Sequence, residues 1–424
     1  LAPVIVFGFI AATSGETVAL PFILGFVAML FTANSYAFMV KRYPVAGSLY
    51  VYISKCITPY VGFIAGWVLL LDYLFLPTIT GMSVVPYFRQ FFPDVPAWLV
   101  LVVCILSTGT INLLGVKFLM RMGLFLLIIG ELILVASFII WGKYIVDQNH
   151  SVMSLLSFEP FKFDSISALL TATSIAVFSF LGFGAITTLA EEAKNPVRDI
   201  PRAIFISIII GTITMTLIGY LGVLASPDIK NSIHDLVWRN TALFFVSERS
   251  GGEIFAIIFT SAFILSQFVC NIVATTACSR LLYGMGRDGV FPKKIFGKVN
   301  KRFQTPHYNI LLIMALEIVI GLCVSIQTVS EMINFGALLS FILLNISVMV
   351  YTFKRWKLQR NGLGIMFKQL LFPLLGIVVL LAILILMHTI SLVVGCCWLT
   401  IGLIYSAVLW RYRKSEVSLN PKKS

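Results

Sequence analysis

The chain contains 424 residues, of which 59% are hydrophobic and only 12% are charged, and its mean hydropathy is +0.98. A soluble domain is about half apolar and about a quarter charged, so this composition indicates a chain surrounded mainly by lipid. The formal net charge of +13 would suit a nucleic-acid-binding protein, but the distribution of the charges along the chain argues against that class.

Eleven apolar runs are long enough to cross a bilayer, which takes about 20 residues in a helix. In chain order they cover residues 18–40, 60–87, 97–115, 119–142, 166–190, 203–225, 253–279, 307–326, 329–353, 369–388 and 390–410. A shorter apolar stretch, residues 1–14, precedes them. The sequence therefore predicts an all-α polytopic membrane protein.

The basic residues are concentrated in every second polar connection. Six of the 31 Lys and Arg residues lie in the intervening connections, namely Arg89, Lys143, Lys162, Lys230, Arg239 and Arg249. By the positive-inside rule, the connections that hold the other 25 are cytoplasmic. The positive charge is thus a signal of topology, and we expect no nucleic-acid partner.

This topology makes residues 1–14 an outward-running segment that is too short to span. Fourteen residues cover about 21 Å at 1.5 Å per residue. We therefore expect the chain to begin inside its first helix, and the full protein to have about twelve helices with both termini in the cytoplasm. A re-entrant or interfacial segment is the alternative for residues 1–14.

With the first helix completed, helices one to five and helices six to ten enter the membrane from opposite sides. This is the arrangement of an inverted repeat, in which the substrate site lies at the midplane on broken helices. We predict one transporter domain over residues 1–410 and a cytoplasmic tail over 411–424. Within the domain, 1–165 form the first repeat, 166–353 the second, and 354–410 two extra helices.

Helices one and six both carry residues that weaken a helix in the middle of a membrane. Proline removes a backbone donor and glycine adopts irregular dihedral angles, and unwound backbone inside a membrane has to line a cavity. We expect helix six to lose its regular hydrogen bonds between Phe180 and Gly184, although glycines can also serve close helix packing. The predicted substrate-binding residues are Pro3, Val4, Ile5, Gly8, Phe178, Phe180, Leu181, Gly182 and Gly184.

Four groups of motifs occur in order along the chain. They are Pro-x-Ala-Gly-Ser-x-Tyr at 44–50 within the basic stretch 41–52, residues 66–75, residues 178–183 with 191–196 and 200–204, and residues 283–292 with 333–338. In these motifs the chain resembles the amino acid–polyamine–organocation (APC) superfamily, and most closely its bacterial putrescine importers. The resemblance implies a five-plus-five inverted-repeat fold with two extra helices, and transport by alternating access.

The resemblance also implies roles for individual positions. Phe178 falls where relatives place an aromatic ring over the substrate, although core or lipid packing is the alternative. Gly184 and Gly8 fall where polyamine carriers and putrescine importers have carboxylates, and the Gly-Ser-Gly motif of amino acid carriers is replaced near Pro3. We therefore expect a zwitterionic or monocationic amine to bind better than putrescine, and Gly184→Asp to raise putrescine uptake, because unpaired buried charge is costly.

Other acidic residues in or near the spans are candidates for coupling or gating. Asp72 in helix three has a gating role or makes a structural hydrogen bond, and Glu131 in helix five is a candidate for proton coupling. Glu191 and Glu192 form a gate salt bridge or a solvated helix end at the cytoplasmic side. Glu317 in helix nine is interpreted as a packing or interfacial residue.

We therefore predict a secondary active permease that carries amino acids or related amines across the cytoplasmic membrane, with proton or sodium coupling possible. A putrescine or polyamine importer and an ion-transporting relative on the same fold are the alternatives. The chain shows no nucleophile–base pair and no zinc-ligand spacing, so we expect no enzyme activity, no cofactor and no metal site.

Overall fold

The computed structural model describes residues 2–44, 48–115, 117–163, 165–190, 193–287, 289–300, 302–359, 363–387 and 389–419. This part of the chain is built from helices and contains no β-strand. The α-helices are α1 (Ala2–Ser14), α2 (Ala19–Arg42), α3 (Ser48–Cys56), α4 (Pro59–Phe88), α5 (Ala97–Leu114), α6 (Lys117–Asn149), α7 (Ile166–Val177), α8 (Pro196–Leu224), α9 (Ile229–Ser232), α10 (Leu236–Arg287), α11 (Lys293–Phe296), α12 (His307–Cys323), α13 (Ile326–Gln359), α14 (Leu363–Ile385) and α15 (Thr389–Leu419).

The predicted spans coincide with these helices. Within the described residues, eight helices are long and apolar enough to cross a membrane, and four further apolar helices are shorter. The predicted span 253–279 belongs to α10, which extends back to Leu236 although its backbone is not helical at Gly252 (φ 78°, ψ 175°). The prediction of an all-α polytopic membrane protein is confirmed.

Helix α1 lies inside the bundle. It packs against α7, α8 and α10, and Phe7, Ile10 and Ala11 are fully buried. Gly15, with φ 67°, ends the helix by donating its backbone N–H to the carbonyl of Ala11 at 2.7 Å. The interfacial alternative for this segment is therefore wrong, since its apolar side chains are buried against other helices.

The sixth predicted helix is interrupted where the glycines stand. Helix α7 ends at Val177 and is followed by a 3₁₀ turn over Phe178–Phe180 and, after Gly182, by a second 3₁₀ segment over Phe183–Leu189. Gly182 has φ 99°, a left-handed conformation that a side chain with a Cβ rarely adopts. The predicted loss of α-helical hydrogen bonding is confirmed, and residues 178–189 are called the helix-six break below.

Helix α4 is the central column of the bundle. Thr58 caps its N-terminus by accepting a hydrogen bond from the backbone N–H of Val61 at 3.2 Å. Helix α13 approaches α4 closely at Gly336, where a Cβ would lie 2.9 Å from the carbonyl oxygen of Val68 and 3.0 Å from the backbone nitrogen of Asp72. Only glycine permits this approach, which holds the middle of α4 against α13.

A pair of tryptophans joins α4 to α15. The indole Nε1 of Trp67 donates to the carbonyl of Trp398, and the indole of Trp398 donates back to the carbonyl of Trp67, both at 2.9 Å. The two rings are stacked with centroids 4.9 Å apart. Each indole N–H thus has a partner, and the two helices are connected by paired hydrogen bonds.

A polar cluster lies among α4, α10 and α12. The carboxylate of Glu317, which is 1% exposed, accepts hydrogen bonds from Asn271 at 3.1 Å and Thr275 at 3.2 Å. Asn271 also donates to the carbonyl of Pro77 at 2.7 Å. Of the two sequence interpretations of Glu317, the structure supports the packing residue, which is buried and satisfied by hydrogen bonds and does not lie at an interface with lipid.

Candidate functional site

A cavity of about 340 Å³ lies in the middle of the bundle, between α1, α2, α4, α6, α10, α13 and the helix-six break. Its volume is in the range of pockets that hold small organic ligands. Its lining residues include Ile5, Tyr36, Asp72, Thr80, Glu131, Phe178, Leu181, Gly182, Gly184, Gln267, Cys270 and Phe341.

Asp72 is the buried acid of this cavity. It lies on α4 shortly before Pro77, and its side chain is 4% exposed. No donor among the described residues reaches its Oδ1 atom. Because a buried carboxylate oxygen without a donor is unfavourable, this oxygen is suited to bind a hydrogen-bond donor of a ligand.

Gln267 supplies a second acceptor to the same cavity. Helix α10 carries this residue, which is 3% exposed, and its carboxamide oxygen Oε1 also has no donor within the described part of the chain. The hydroxyl of Thr80, which also lines the cavity, donates to the carbonyl of Pro77 at 2.8 Å. Two residues of one cavity whose acceptor atoms have no donor among the described residues favour a ligand that presents several N–H donors, such as an ammonium group.

The helix-six break supplies backbone groups that suit a ligand group of the opposite charge. Gly182 and Gly184 line the cavity at the start of the 3₁₀ segment over Phe183–Leu189, and the first N–H groups of a helical segment have no partner within that segment. The hydroxyl of Thr187 donates to the carbonyl of Gly184 at 2.6 Å, which satisfies that acceptor. The N–H groups at the start of the segment favour a carboxylate or another anionic group of the ligand.

Aromatic rings form the apolar wall of the cavity. Phe178 is 3% exposed and lines the cavity, together with Tyr36 from α2 and Phe341 from α13. The ring of Tyr36 meets the rings of Phe341 and Phe183 edge to face, with centroids 6.0 and 5.5 Å apart. This wall excludes water from one side of the cavity and provides a surface for the hydrocarbon part of a small amine.

Glu131 brings a second carboxylate to the cavity. It lies on α6, where its side chain is exposed, and it lines the cavity together with Asp72. The sequence disfavours putrescine because Gly8 and Gly184 stand where relatives have carboxylates. The structure shows that two other acids line the cavity, so the absence of those carboxylates no longer disfavours a diamine.

Four predicted binding residues do not line the cavity. Gly8 packs so closely on Arg239 of α10 that a Cβ would lie 2.3 Å from the Arg239 carbonyl oxygen, so this glycine serves helix packing. Phe180 contacts Gly25 of α2, and the carbonyl of Val4 accepts a 3.5 Å hydrogen bond from Tyr87.

The last of the four, Pro3, is buried inside the bundle. Glu191 and Glu192 lie outside the described residues, so their predicted role at a gate stays a prediction.

Gly184 lines the cavity, but the space beside it is filled. A Cβ at this position would lie 2.7 Å from the hydroxyl oxygen of Tyr36. A carboxylate introduced by Gly184→Asp would therefore have to displace Tyr36. The structure does not support the gain of putrescine uptake that the sequence predicts for this variant.

Several polar or aromatic residues of the cavity were not among the predicted site residues, including Tyr36, Tyr73, Thr80, Ser266, Gln267 and Phe341. Tyr36 and Gln267 are polar residues within apolar runs, which is a signal that sequence reasoning could have used. Within the described chain, no group of three or more His, Cys, Asp or Glu side chains is placed to hold a metal ion.

The amino acid permease family model matches residues 2–410 of the chain. The chain is 32% identical to the low-affinity putrescine importer PlaP of Escherichia coli K12 over 413 residues, which cover 97% of this chain and 90% of PlaP. It is 23% identical to the branched-chain amino acid permease BcaP of Bacillus subtilis, over 97% of this chain and 88% of BcaP.

It is also 29% identical to the aromatic amino acid transport protein AroP of Escherichia coli O6:H1, over 83% of this chain and 77% of AroP. The central cavity, the interrupted sixth helix and these similarities agree, and the chain belongs to the amino acid permease family of multi-pass membrane transporters.

Proposed function

We propose that this permease binds a small amino compound in the central cavity and carries it across the cytoplasmic membrane by alternating access. The amino group is held by Asp72 and Gln267, and the rest of the molecule lies against Phe178. The observation that carries the proposal is that Asp72 and Gln267 both line one cavity, and each has a buried acceptor atom, Oδ1 and Oε1, with no donor among the described residues.

An amino acid is compatible with both ends of the site. Its ammonium group donates three hydrogen bonds, which suits the acceptors on α4 and α10. Its carboxylate suits the N–H groups after Gly182, where the start of a helical segment favours negative charge. A cavity of about 340 Å³ accommodates a molecule of this size and excludes large substrates.

A diamine is the second candidate, because Glu131 favours it. A second ammonium group needs its own acceptor in a site of low dielectric, and Glu131 lines the same cavity as Asp72. The similarity to PlaP, which is named a putrescine importer, supports the same candidate. The two candidates differ in their second charged group. The carboxylate of an amino acid would bind the backbone of the helix-six break, whereas the second ammonium group of a diamine would bind Glu131.

We also propose a topology and a coupling ion for this permease. The distribution of basic residues supports a cytoplasmic tail after residue 410, and the interruption in the sixth predicted helix supports an inverted repeat with boundaries near residues 165 and 353. An acid that lines a transport cavity can bind a proton together with the substrate, so Glu131 is our candidate for proton coupling, and sodium is the alternative ion.

Uptake into proteoliposomes tests the proposal. We expect saturable uptake of one or more labelled amino acids or amines, which unlabelled substrate inhibits in a stereoselective or length-selective manner. An ion current that does not saturate and requires no amine would instead support an ion-transporting protein on the same fold.

Cys270 provides an independent test of where the substrate binds. Cys270 and Cys323 are both exposed, but of these two only Cys270 lines the cavity, and Cys323 lies at the end of α12. A transported amine should slow the alkylation of Cys270 by a small thiol reagent and leave the alkylation of Cys323 unchanged, as measured by mass spectrometry of peptides. Equal rates at Cys270 with and without substrate would place the binding site elsewhere.

A further inference from the structure

A second cavity, separate from the central one, lies at the basic end of the bundle. Its volume is about 730 Å³, and it opens between the C-terminal end of α2, the N-terminal end of α8 and the N-terminal part of α14. We call it the basic pocket. Four of its lining residues are cations: Lys41, Arg42, Arg198 and Arg202.

The four cations converge from two helices that are far apart in the chain. Lys41 and Arg42 form the last turn of α2, and Arg198 and Arg202 are four residues apart on α8, so both arginines lie on the same face of that helix. The positive-inside rule explains why basic residues are concentrated on this side of the membrane. It does not explain why four of them from separate helices surround one concavity.

No acidic side chain in the described part of the chain balances the four cations of the basic pocket. Among the described residues, none that lines this pocket is acidic. Among the described residues, the ion pairs within 4.0 Å are Lys230 with Glu16 and Arg249 with Asp228, and neither involves the pocket. The N-terminus of α8 adds the positive end of a helix dipole.

The rest of the wall is largely apolar, and two of its aliphatic side chains are exposed. Phe38, Phe205, Val197 and Ile206 line the pocket, and the side chains of Val197 and Ile206 are 44% and 55% exposed. The guanidinium of Arg42 lies over the ring of Phe38, 4.5 Å from its centroid. Cationic groups beside exposed aliphatic side chains at the end of a membrane-spanning bundle match a molecule with an anionic head and hydrocarbon tails.

We propose that the basic pocket binds the headgroup of an anionic phospholipid from the cytoplasmic leaflet, with the acyl chains lying along α8. Basic pockets between transmembrane helices on the cytoplasmic side recognise lipid phosphates in this way. The two arginines can each donate two hydrogen bonds to phosphate oxygens, which gives the site a preference for phosphate over a diffuse negative surface.

Native mass spectrometry of the full chain in detergent measures this binding directly. The test compares phosphatidylglycerol with zwitterionic phosphatidylcholine, added in increasing amounts to wild-type protein and to the double variant Arg198→Gln/Arg202→Gln. The matched control, Lys293→Gln/Lys294→Gln, removes the same charge from α11, whose two lysines are exposed and do not line the pocket.

Each basic residue near an anionic lipid surface contributes roughly fivefold in affinity, so the double variant should bind the first phosphatidylglycerol about 30-fold more weakly. The control should bind it as the wild type does, and phosphatidylcholine should bind all three proteins weakly. The proposal would be overturned if the control lost as much affinity for phosphatidylglycerol as the double variant, or if the double variant kept the affinity of the wild type.

Two further measurements keep the test decisive. If the glutamine variant loses its helical circular dichroism, Arg198→Lys/Arg202→Lys replaces it, and this variant should keep most of the affinity because it keeps the charge. Inorganic phosphate at millimolar concentration should not displace the lipid. Displacement by phosphate alone would show that the pocket serves soluble anions and would contradict a lipid site.

Discussion

Replacing Asp72 by asparagine tests the role of its charge with little change of shape. Asp72 is 4% exposed, and Gly336 holds the α4 backbone at this point against α13. Its Oδ1 receives no hydrogen bond from the described residues, so at that atom the substitution removes no internal bond. A charge-assisted hydrogen bond to the amine contributes about 1.5–3 kcal/mol, and its loss should raise the Kd of the substrate about 10- to 150-fold.

Titration of the purified variant with a labelled substrate measures the Kd, and thermal unfolding in detergent measures stability. The control is Asp147→Asn at the exposed end of α6, which should bind as the wild type does. Asp72→Glu keeps the charge and should recover part of the affinity. A change of less than threefold in Asp72→Asn, or an equal change in the control, would refute a charge interaction between Asp72 and the substrate.

Three other perturbations address separate parts of the structure. Glu131→Gln should lower putrescine affinity about 10-fold or more while leaving monoamine affinity within about threefold, as competition assays would show; equal effects on both would refute a diamine subsite. Gly184→Ala should destabilise the protein by about 1–3 kcal/mol and slow uptake, because its Cβ would lie 2.7 Å from the Tyr36 hydroxyl. In the control Gly211→Ala the nearest atom to the new Cβ is 3.6 Å away, so its thermal stability and its uptake rate should match those of the wild type. Trp398→Phe removes the hydrogen bond from the Trp398 indole to the Trp67 carbonyl, which contributes about 0.5–1.5 kcal/mol, so it should lower the melting temperature and leave the substrate Kd unchanged. An unchanged melting temperature would contradict this.

The helices could be predicted well from the sequence because their signal is local. The thickness of the bilayer sets the length of an apolar run at about 20 residues, and the positive-inside rule sets the alternation of basic connections. Neither signal requires knowledge of which helices are neighbours. The interruption near Gly182 was also predictable, since two glycines in an apolar helix weaken it wherever it packs.

The assignment of single residues to the site depended on neighbours that the sequence does not reveal. Gly8 and Gly182 look alike as glycines in apolar helices, yet Gly8 packs on the backbone of Arg239 and Gly182 lines the cavity. Asp72 and Glu131 could be named as intramembrane acids from the sequence. Only the packing of α4 and α6 shows that they line one cavity.

The paired hydrogen bonds between Trp67 and Trp398 limit how the helices can move during transport. A slide of α15 along α4 by one residue, which is about 1.5 Å, would move both indole donors away from their carbonyl acceptors at once. The two helices should consequently travel as one rigid body. The sliding or rocking that exposes the substrate to alternate sides then has to occur at other helix contacts, with α15 carried along by the helix that bears Asp72.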